Sequence, residues 1–248
     1  MHGLLNDKVC IVTGAGRGIG KEIASLFACE GARVIVNVRR EGVADQWVSK
    51  DPNKNQLDVM CFDITDEMAS REAVLSIKKK YGHIDILVNN AGVEFNELIG
   101  MINRENMEKM FSVNVYGTIN MIQIVSRVMS RNSNGGSIIN ISSMVGLRGN
   151  AGQLAYSATK GAVIALTKSA AKELARNNIR VNTIAPGITQ TDMMEQAELE
   201  KIQKRIDNIS LGRIAQPKDI AGGCLLLACD YANYISGQVL PVDGMTIM

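Results

Sequence analysis

Tyr156 and Lys160 stand four positions apart in a stretch of helical pattern, so their side chains project from one face. A phenol ordinarily keeps its proton to pH ~10. An ammonium beside it favours phenolate and brings that proton into play closer to neutral pH. Upstream, Ser142 and Ser143 follow an apolar run, where a hydroxyl can bond an oxygen that is gaining negative charge. Together these groups could hold an oxygen atom of a bound molecule and exchange a proton with it. A Tyr–Lys pair at this spacing is also common on helix surfaces, so its meaning depends on its company.

That company begins at Thr13-Gly14-Ala15-Gly16-Arg17-Gly18-Ile19-Gly20. The cluster follows an apolar run and opens a helical pattern, the context in which a glycine turn sets a pyrophosphate on a helix N-terminus. The plainer alternative is a tight turn that needs positive φ. The region where NAD-specific enzymes carry an acid for the ribose hydroxyl reads Val36-Asn37-Val38-Arg39-Arg40, with no acid before Glu41. Val38 takes the acid's position. Arg39, with Arg17 in the turn, can pair with a 2′-phosphate that a carboxylate would repel. The expected cofactor is therefore NADP(H). Two solvated surface arginines are the alternative.

The elements that must position these groups alternate regularly. Apolar runs at Lys8–Thr13, Arg33–Val38, Asp58–Asp63, Ile84–Asn89, Gly135–Ser142, Ile179–Ile184 and Gln238–Val242 read as strands. Helical patterns cover Gly18–Glu30, Glu67–Lys80, Arg104–Ser130, Tyr156–Asn177, Asp192–Ile206 and Lys218–Cys229; Glu41–Gln56 is irregular. Continuous apolar strands between helices predict an α/β fold: one Rossmann-type, doubly wound domain over residues 1–248, with a seven-stranded parallel sheet flanked by helices.

Bulk properties exclude several classes. The chain has 248 residues, 46% hydrophobic, enough for one large core, and a formal charge of +2. Neither that charge nor the 4% aromatic content points to nucleic acid or a membrane surface. No apolar run approaches ~20 residues, and no signal peptide is visible, so a cytoplasmic protein is expected. The five cysteines form no CxxC pair, and each lies in an apolar stretch; buried, reduced thiols are expected, with neither disulfides nor a metal site.

The glycine turn resembles the TGxxxGxG fingerprint of the short-chain dehydrogenase/reductase family, and the resemblance runs along the chain. Asn89-Asn90-Ala91-Gly92 is similar to the family's NNAG segment, Tyr156–Lys160 to its YxxxK motif, and Pro186-Gly187 to the turn after its sixth strand. The resemblance implies a catalytic tetrad of Asn114, Ser143, Tyr156 and Lys160; Ser143 is chosen over Ser142 because the family's serine lies thirteen residues before its tyrosine. Asn114 would bend a long helix and hold a water that links the lysine to a proton relay. Cofactor contacts would come from Gly14, Gly16, Arg17, Gly18, Ile19, Gly20, Arg39, Asp63, Ile64, Asn90, Ala91, Gly92, Tyr156, Lys160, Pro186, Gly187, Ile188 and Thr191. Asp63 would bond the adenine amino group; a turn or capping role shared with Thr65 and Asp66 is the equal alternative.

The implied reaction moves a hydride between NADP(H) and a carbonyl or alcohol carbon. Asn89–Ile102, Ala185–Met193 and Leu211–Ala221 are most similar to 3-oxoacyl-(acyl-carrier-protein) reductases, implying a carbonyl or acyl-thioester substrate, an acyl carrier protein as partner, and a homotetramer. Asn96 stands where those enzymes usually have Asp, and Met245 replaces the second glycine of VDGG. Rival readings are an NADP-dependent dehydrogenase of a sugar, sterol or other secondary alcohol, and a non-catalytic NADP(H)-sensing protein. Residues 188–210 are expected to form a substrate lid, in which Met193 and Met194 either line an adaptable pocket or simply pack.

Overall fold

The computed structural model describes residues 3–190 and 206–247. Seven strands form one sheet: β1 (Val9–Val12), β2 (Arg33–Val38), β3 (Leu57–Cys61), β4 (Ile86–Asn89), β5 (Gly136–Ile141), β6 (Ile179–Pro186) and β7 (Val239–Val242). Their order is β3-β2-β1-β4-β5-β6-β7 and every pairing is parallel, the doubly wound arrangement the sequence predicts.

Strand periodicity explains why both faces are covered. Cys10 and Val12 point into one core with Val34, Val36, Ile23 and Phe27, while Val9 and Ile11 point into the other with Ile35, Leu87 and Val125. The first core is roofed by α1 (Gly18–Cys29) and a C-terminal helix over Pro217–Ala228. The second lies beneath α3 (Glu67–Tyr81), which follows a short α2 (Asp45–Val48).

Local chemistry sets the helix ends. Asp66 caps α3 by accepting from Ala69 N at 3.0 Å, and Gly82 at φ +84° stops it. Asn103 caps α4 (Arg104–Phe111) through Glu105 N and Asn106 N. The single long helix expected over Arg104–Ser130 is interrupted. After α4 a π-helical turn occupies Ser112–Gly117, and α5 (Thr118–Met129) resumes the regular path. Two more helices complete the described order before the last: a short α6 (Val145–Arg148), which the sequence did not signal, and α7 (Leu154–Leu174); Pro217–Ala228 is then α8.

The cysteine expectation needs correction. Cys10, Cys224 and Cys229 are buried, but Cys29 and Cys61 are exposed, and all five are free thiols. Cys29 ends α1, and Cys61 ends β3, an edge strand whose alternate residues face solvent. No described helix is long and apolar enough to cross a membrane. The predicted lid is described only at its two ends, 188–190 and 206–210. Thr191, Met193 and Met194 lie outside the described residues.

Candidate active site

The strand order reverses between β1 and β4, and a crevice lies beyond their C-terminal ends. The glycine turn forms its floor by omitting side chains. Gly14 sits at φ +64°, and a Cβ on it would lie 2.7 Å from Ala91 Cα. A Cβ on Gly20 would lie 2.4 Å from Asn90 Nδ2 and 2.6 Å from Gly14 O.

Side chains lace this turn to three strands. Asn90 Nδ2 donates to Thr13 O and Gly14 O at 3.0 and 3.1 Å. Gly14 N donates to Asn37 Oδ1 at 3.3 Å, and Asn37 Nδ2 donates onward to Phe62 O at 2.9 Å. Asn37 is 2% exposed in an otherwise apolar strand. A polar residue in that position was the available signal, and sequence reasoning passed over it.

The crevice has a volume of about 380 Å³. It is lined by Gly14, Arg17, Gly18, Ile19, Gly20, Arg39, Asp63, Ile64, Asn90, Ala91 and Gly92, together with Asn37, Phe62, Val93 and Val113. Gly16 lies aside from this lining, where a Cβ would strike Val43 at 2.6 Å. Asp63 Oδ1 accepts from Thr65 N and Oγ1 at 2.9 and 2.8 Å, so the turn role is present, and the residue also borders the crevice. Helix α1 points its N-terminus here with no acid in its first turn. Arg17 and Arg39 are exposed at the crevice and have no ion-pair partner among the described residues. Bare backbone, a positive helix end and two guanidiniums fit a phosphorylated dinucleotide.

A second group of side chains gathers beyond Gly92, at the ends of β4 and β5. Tyr156 lies one turn before Lys160 on α7, with Lys160 Nζ 5.7 Å from the ring centre. Lys160 is 4% exposed, and its Nζ donates to Ile141 O at 2.9 Å. The Ser143 hydroxyl lies near enough to Tyr156 to favour its phenolate, and Ser143 Oγ accepts from Val145 N at 3.4 Å. Ser142 Oγ instead donates to Lys160 O at 2.8 Å, tying β5 to α7. Gly92 leaves room for this group: a Cβ there would stand 3.3 Å from Asn114 Oδ1 and 3.5 Å from Lys160 Nζ.

Asn114, on the π-helical turn, is 1% exposed and fully engaged. Its Oδ1 accepts from Val93 N at 2.8 Å, and its Nδ2 donates to Val93 O at 2.9 Å and Thr159 Oγ1 at 3.1 Å. The extra residue of the turn aims this amide at the segment after β4. Of the other predicted contacts, Pro186 O accepts from Met144 N, Gly187 N donates to Val242 O, and Ile188 O accepts from Ala215 N.

The electrostatics differ from the sequence expectation in one respect. Tyr156 has its pKa raised, chiefly by burial and also by the nearby Glu94; the Ser143 hydroxyl opposes this. Burial likewise lowers Lys160 to about 8, against a smaller upward pull from Glu94. Burial thus outweighs the lowering that the four-residue spacing predicted; Lys160 Nζ, 5.7 Å from the ring centre, is hydrogen-bonded to the Ile141 carbonyl. Sequence reasoning also missed Glu94 and its partner Gln153, whose Nε2 donates to Glu94 Oε1 at 2.5 Å.

Comparison with known proteins agrees with this geometry. A family model described as Enoyl-(Acyl carrier protein) reductase matches residues 14–245. The chain is 40% identical to a 3-oxoacyl-(acyl-carrier-protein) reductase of Thermotoga maritima over 241 residues, 97% of this chain and 98% of the relative. It is 38% identical to the reductase of that name from Chlamydia trachomatis, covering 98% of this chain and 99% of the relative. A 3alpha-hydroxysteroid dehydrogenase of Mediterraneibacter gnavus is 37% identical, with 98% of each chain covered. On the matched length, the parallel sheet and the crevice at its switch point, the chain belongs to the short-chain dehydrogenase/reductase family of nicotinamide-dependent oxidoreductases.

Proposed function

We propose that this protein uses NADPH to reduce the 3-oxo group of an acyl thioester to a secondary alcohol, the activity named for its Thermotoga and Chlamydia relatives. The observation that carries this reading is the placement of Tyr156 one turn before the buried Lys160, whose Nζ stands 5.7 Å from the phenol ring centre and bonds Ile141 O, with Ser143 just past the end of β5. A raised phenol pKa keeps the proton in place until the carbonyl oxygen becomes basic enough to take it, which suits reduction.

NADPH, when bound, supplies the hydride that the carbonyl carbon receives. Tyr156 gives its phenolic proton to the carbonyl oxygen, and Ser143 Oγ orients that oxygen and stabilises its growing charge. Lys160 places a positive charge behind the phenol and returns a proton to it. Asn114 fixes Val93 and Thr159, so that Gly92 and α7 keep their spacing around Lys160. Arg39 and Arg17 read the 2′-phosphate, Asp63 and Ile64 flank the adenine, and Asn90, Ala91 and Gly92 run along the ribose. The turn of Pro186, Gly187 and Ile188, with Thr191 after it, takes the nicotinamide side.

The carrier-bound form of the thioester is the natural substrate on this reading, in a cytoplasmic homotetramer. Edge strand β7 and the exposed Tyr116, Ile119 and Leu226 supply surface for subunit contacts. The steroid dehydrogenase relative favours a second reading on the same tetrad, oxidoreduction of a sterol or other secondary alcohol. A purely NADP(H)-sensing role leaves the tetrad without a purpose.

The test is cofactor oxidation with NADPH and NADH in parallel, against an acetoacetyl thioester, simple ketones and a 3-oxosteroid. Fast thioester turnover with NADPH supports the first reading. Turnover of the steroid or ketones alone replaces the substrate and leaves the tetrad mechanism standing.

A further inference from the structure

Glu94 is an acid with no place in the tetrad, yet the fold holds it beside the reacting groups. It follows Gly92 and Val93, the segment that Asn114 grips from both sides. Its Oε1 accepts from Gln153 Nε2 at 2.5 Å, and Gln153 is the residue before α7, three positions ahead of Tyr156. Asn150 Nδ2 donates to Gln153 Oε1 at 2.7 Å, which fixes the amide so that its NH2 group faces the carboxylate. Below it, Glu97 pairs with Gln153 as a parallel bridge, and Glu97 N donates to Gly152 O at 2.7 Å. The carboxylate is thus anchored to the residue that opens α7, two positions after Gly92, itself against Lys160 Nζ, and its charge acts on both Tyr156 and Lys160. It has no ion-pair partner among the described residues. Beyond it the same segment turns apolar and exposed at Leu98, Ile99 and Met101, and Leu154 at the start of α7 is exposed as well.

We propose that Glu94 is a specificity-determining charge filter: it repels the carboxylate of free 3-oxo acids and admits their neutral esters and thioesters. The proposal rests on the carbonyl-reductase reading above and refines its substrate class. When Tyr156 and Ser143 hold the 3-oxo oxygen, the carbonyl carbon C1 is only two bonds from C3 along the chain. A carboxylate there is repelled by the half-buried Glu94, while a thioester carbonyl carries no net charge and its alkyl chain can meet the exposed apolar residues after it.

The experiment compares kcat/KM for a neutral acetoacetyl N-acetylcysteamine thioester with that for free acetoacetate, in the wild type, E94Q and E94D. The amide oxygen of E94Q can still accept from Gln153, so this variant removes charge while keeping the anchor. The wild type is expected to prefer the thioester by a hundredfold or more. E94Q is expected to narrow that ratio by about tenfold, mainly through a lower KM for acetoacetate, and E94D to restore most of it. A ratio unchanged in E94Q, or a parallel loss on both substrates, overturns the filter and makes Glu94 a structural anchor. A wild type inactive on both substrates overturns the functional reading as well, which separates the two failures.

Discussion

Where Gly14 and Gly20 face Ala91 and Asn90, the crevice exists because side chains are missing; where the half-buried Tyr156 and Ser143 adjoin Lys160, the site is made by side chains gathered around a buried ammonium. The first region relies on backbone amides, a helix end and exposed arginines, so it can hold a charged ligand with little desolvation of its own groups. The second buries an ammonium against one carbonyl, and burial perturbs the protonation of both titratable partners. On the proposed reading, binding depends on space, and chemistry on groups kept in unfavourable surroundings. Added atoms should damage the first region, and removed atoms the second.

The largest effect should come from filling the space. Gly20→Ala places a methyl against Asn90 and the Gly14 carbonyl, and overpacking there moves the turn itself. NADPH and NADH affinities are both expected to fall about a hundredfold, read by fluorescence titration, with circular dichroism unchanged. Normal binding would show that the turn tolerates side chains after all.

Arg39→Asp tests the same region by charge. Loss of a charge-assisted contact predicts NADPH binding weaker by about ten- to a hundredfold, with NADH nearly unaffected. Equal losses would remove Arg39 from phosphate recognition.

The catalytic region should respond in the opposite sense when its buried charge is taken away. Lys160 has a pKa of about 8, below its ordinary 10.5, so the folded protein binds that proton more weakly than the unfolded chain. The resulting destabilisation is full below pH ~8 and disappears above ~10.5. Lys160→Met, without cofactor, is therefore expected to gain about 1–2 kcal/mol at pH 7 after allowing for the lost bond to Ile141 O. Urea unfolding across pH should show the gain shrinking between pH 8 and 10.5; a gain independent of pH would assign it to packing alone.

The smallest effect lies outside both regions. Met245 occupies φ +57°, a conformation that disfavours side chains, at the position where the family's VDGG has its second glycine. Met245→Gly is expected to stabilise by about 0.5–1 kcal/mol, with unfolded-state entropy offsetting part of the relief. A loss of stability would mean that the methionine side chain contributes more than its backbone costs.

The sheet was legible because parallel strands buried on both faces leave unbroken apolar runs, and these fell within one or two residues of β1 to β7. The residues lining the crevice were readable where they depend on missing side chains or on charge at a strand end. Interactions between distant segments were not. Helical periodicity continues through Ser112–Gly117, so the π-helical turn that aims Asn114 leaves no mark in the pattern. The four-residue spacing of Tyr156 and Lys160 gave their nearness but not the direction of Nζ, and the sign of the phenol shift came out reversed. Glu94 meets Gln153 across fifty-nine residues of chain, and an acid in a loop announces nothing by itself. The edge position of β3, which exposes Cys61, likewise depends on strand order and not on composition.

The most direct test of the account is Tyr156→Phe, assayed for NADPH-dependent reduction of an acetoacetyl thioester alongside an NADPH titration. The phenol is the proposed proton donor and removing it spares the crevice, so turnover should fall at least a thousandfold while NADPH affinity stays within about twofold. Turnover within tenfold of the wild type would contradict the assignment of Tyr156 as the acid, and with it the mechanism proposed for this site.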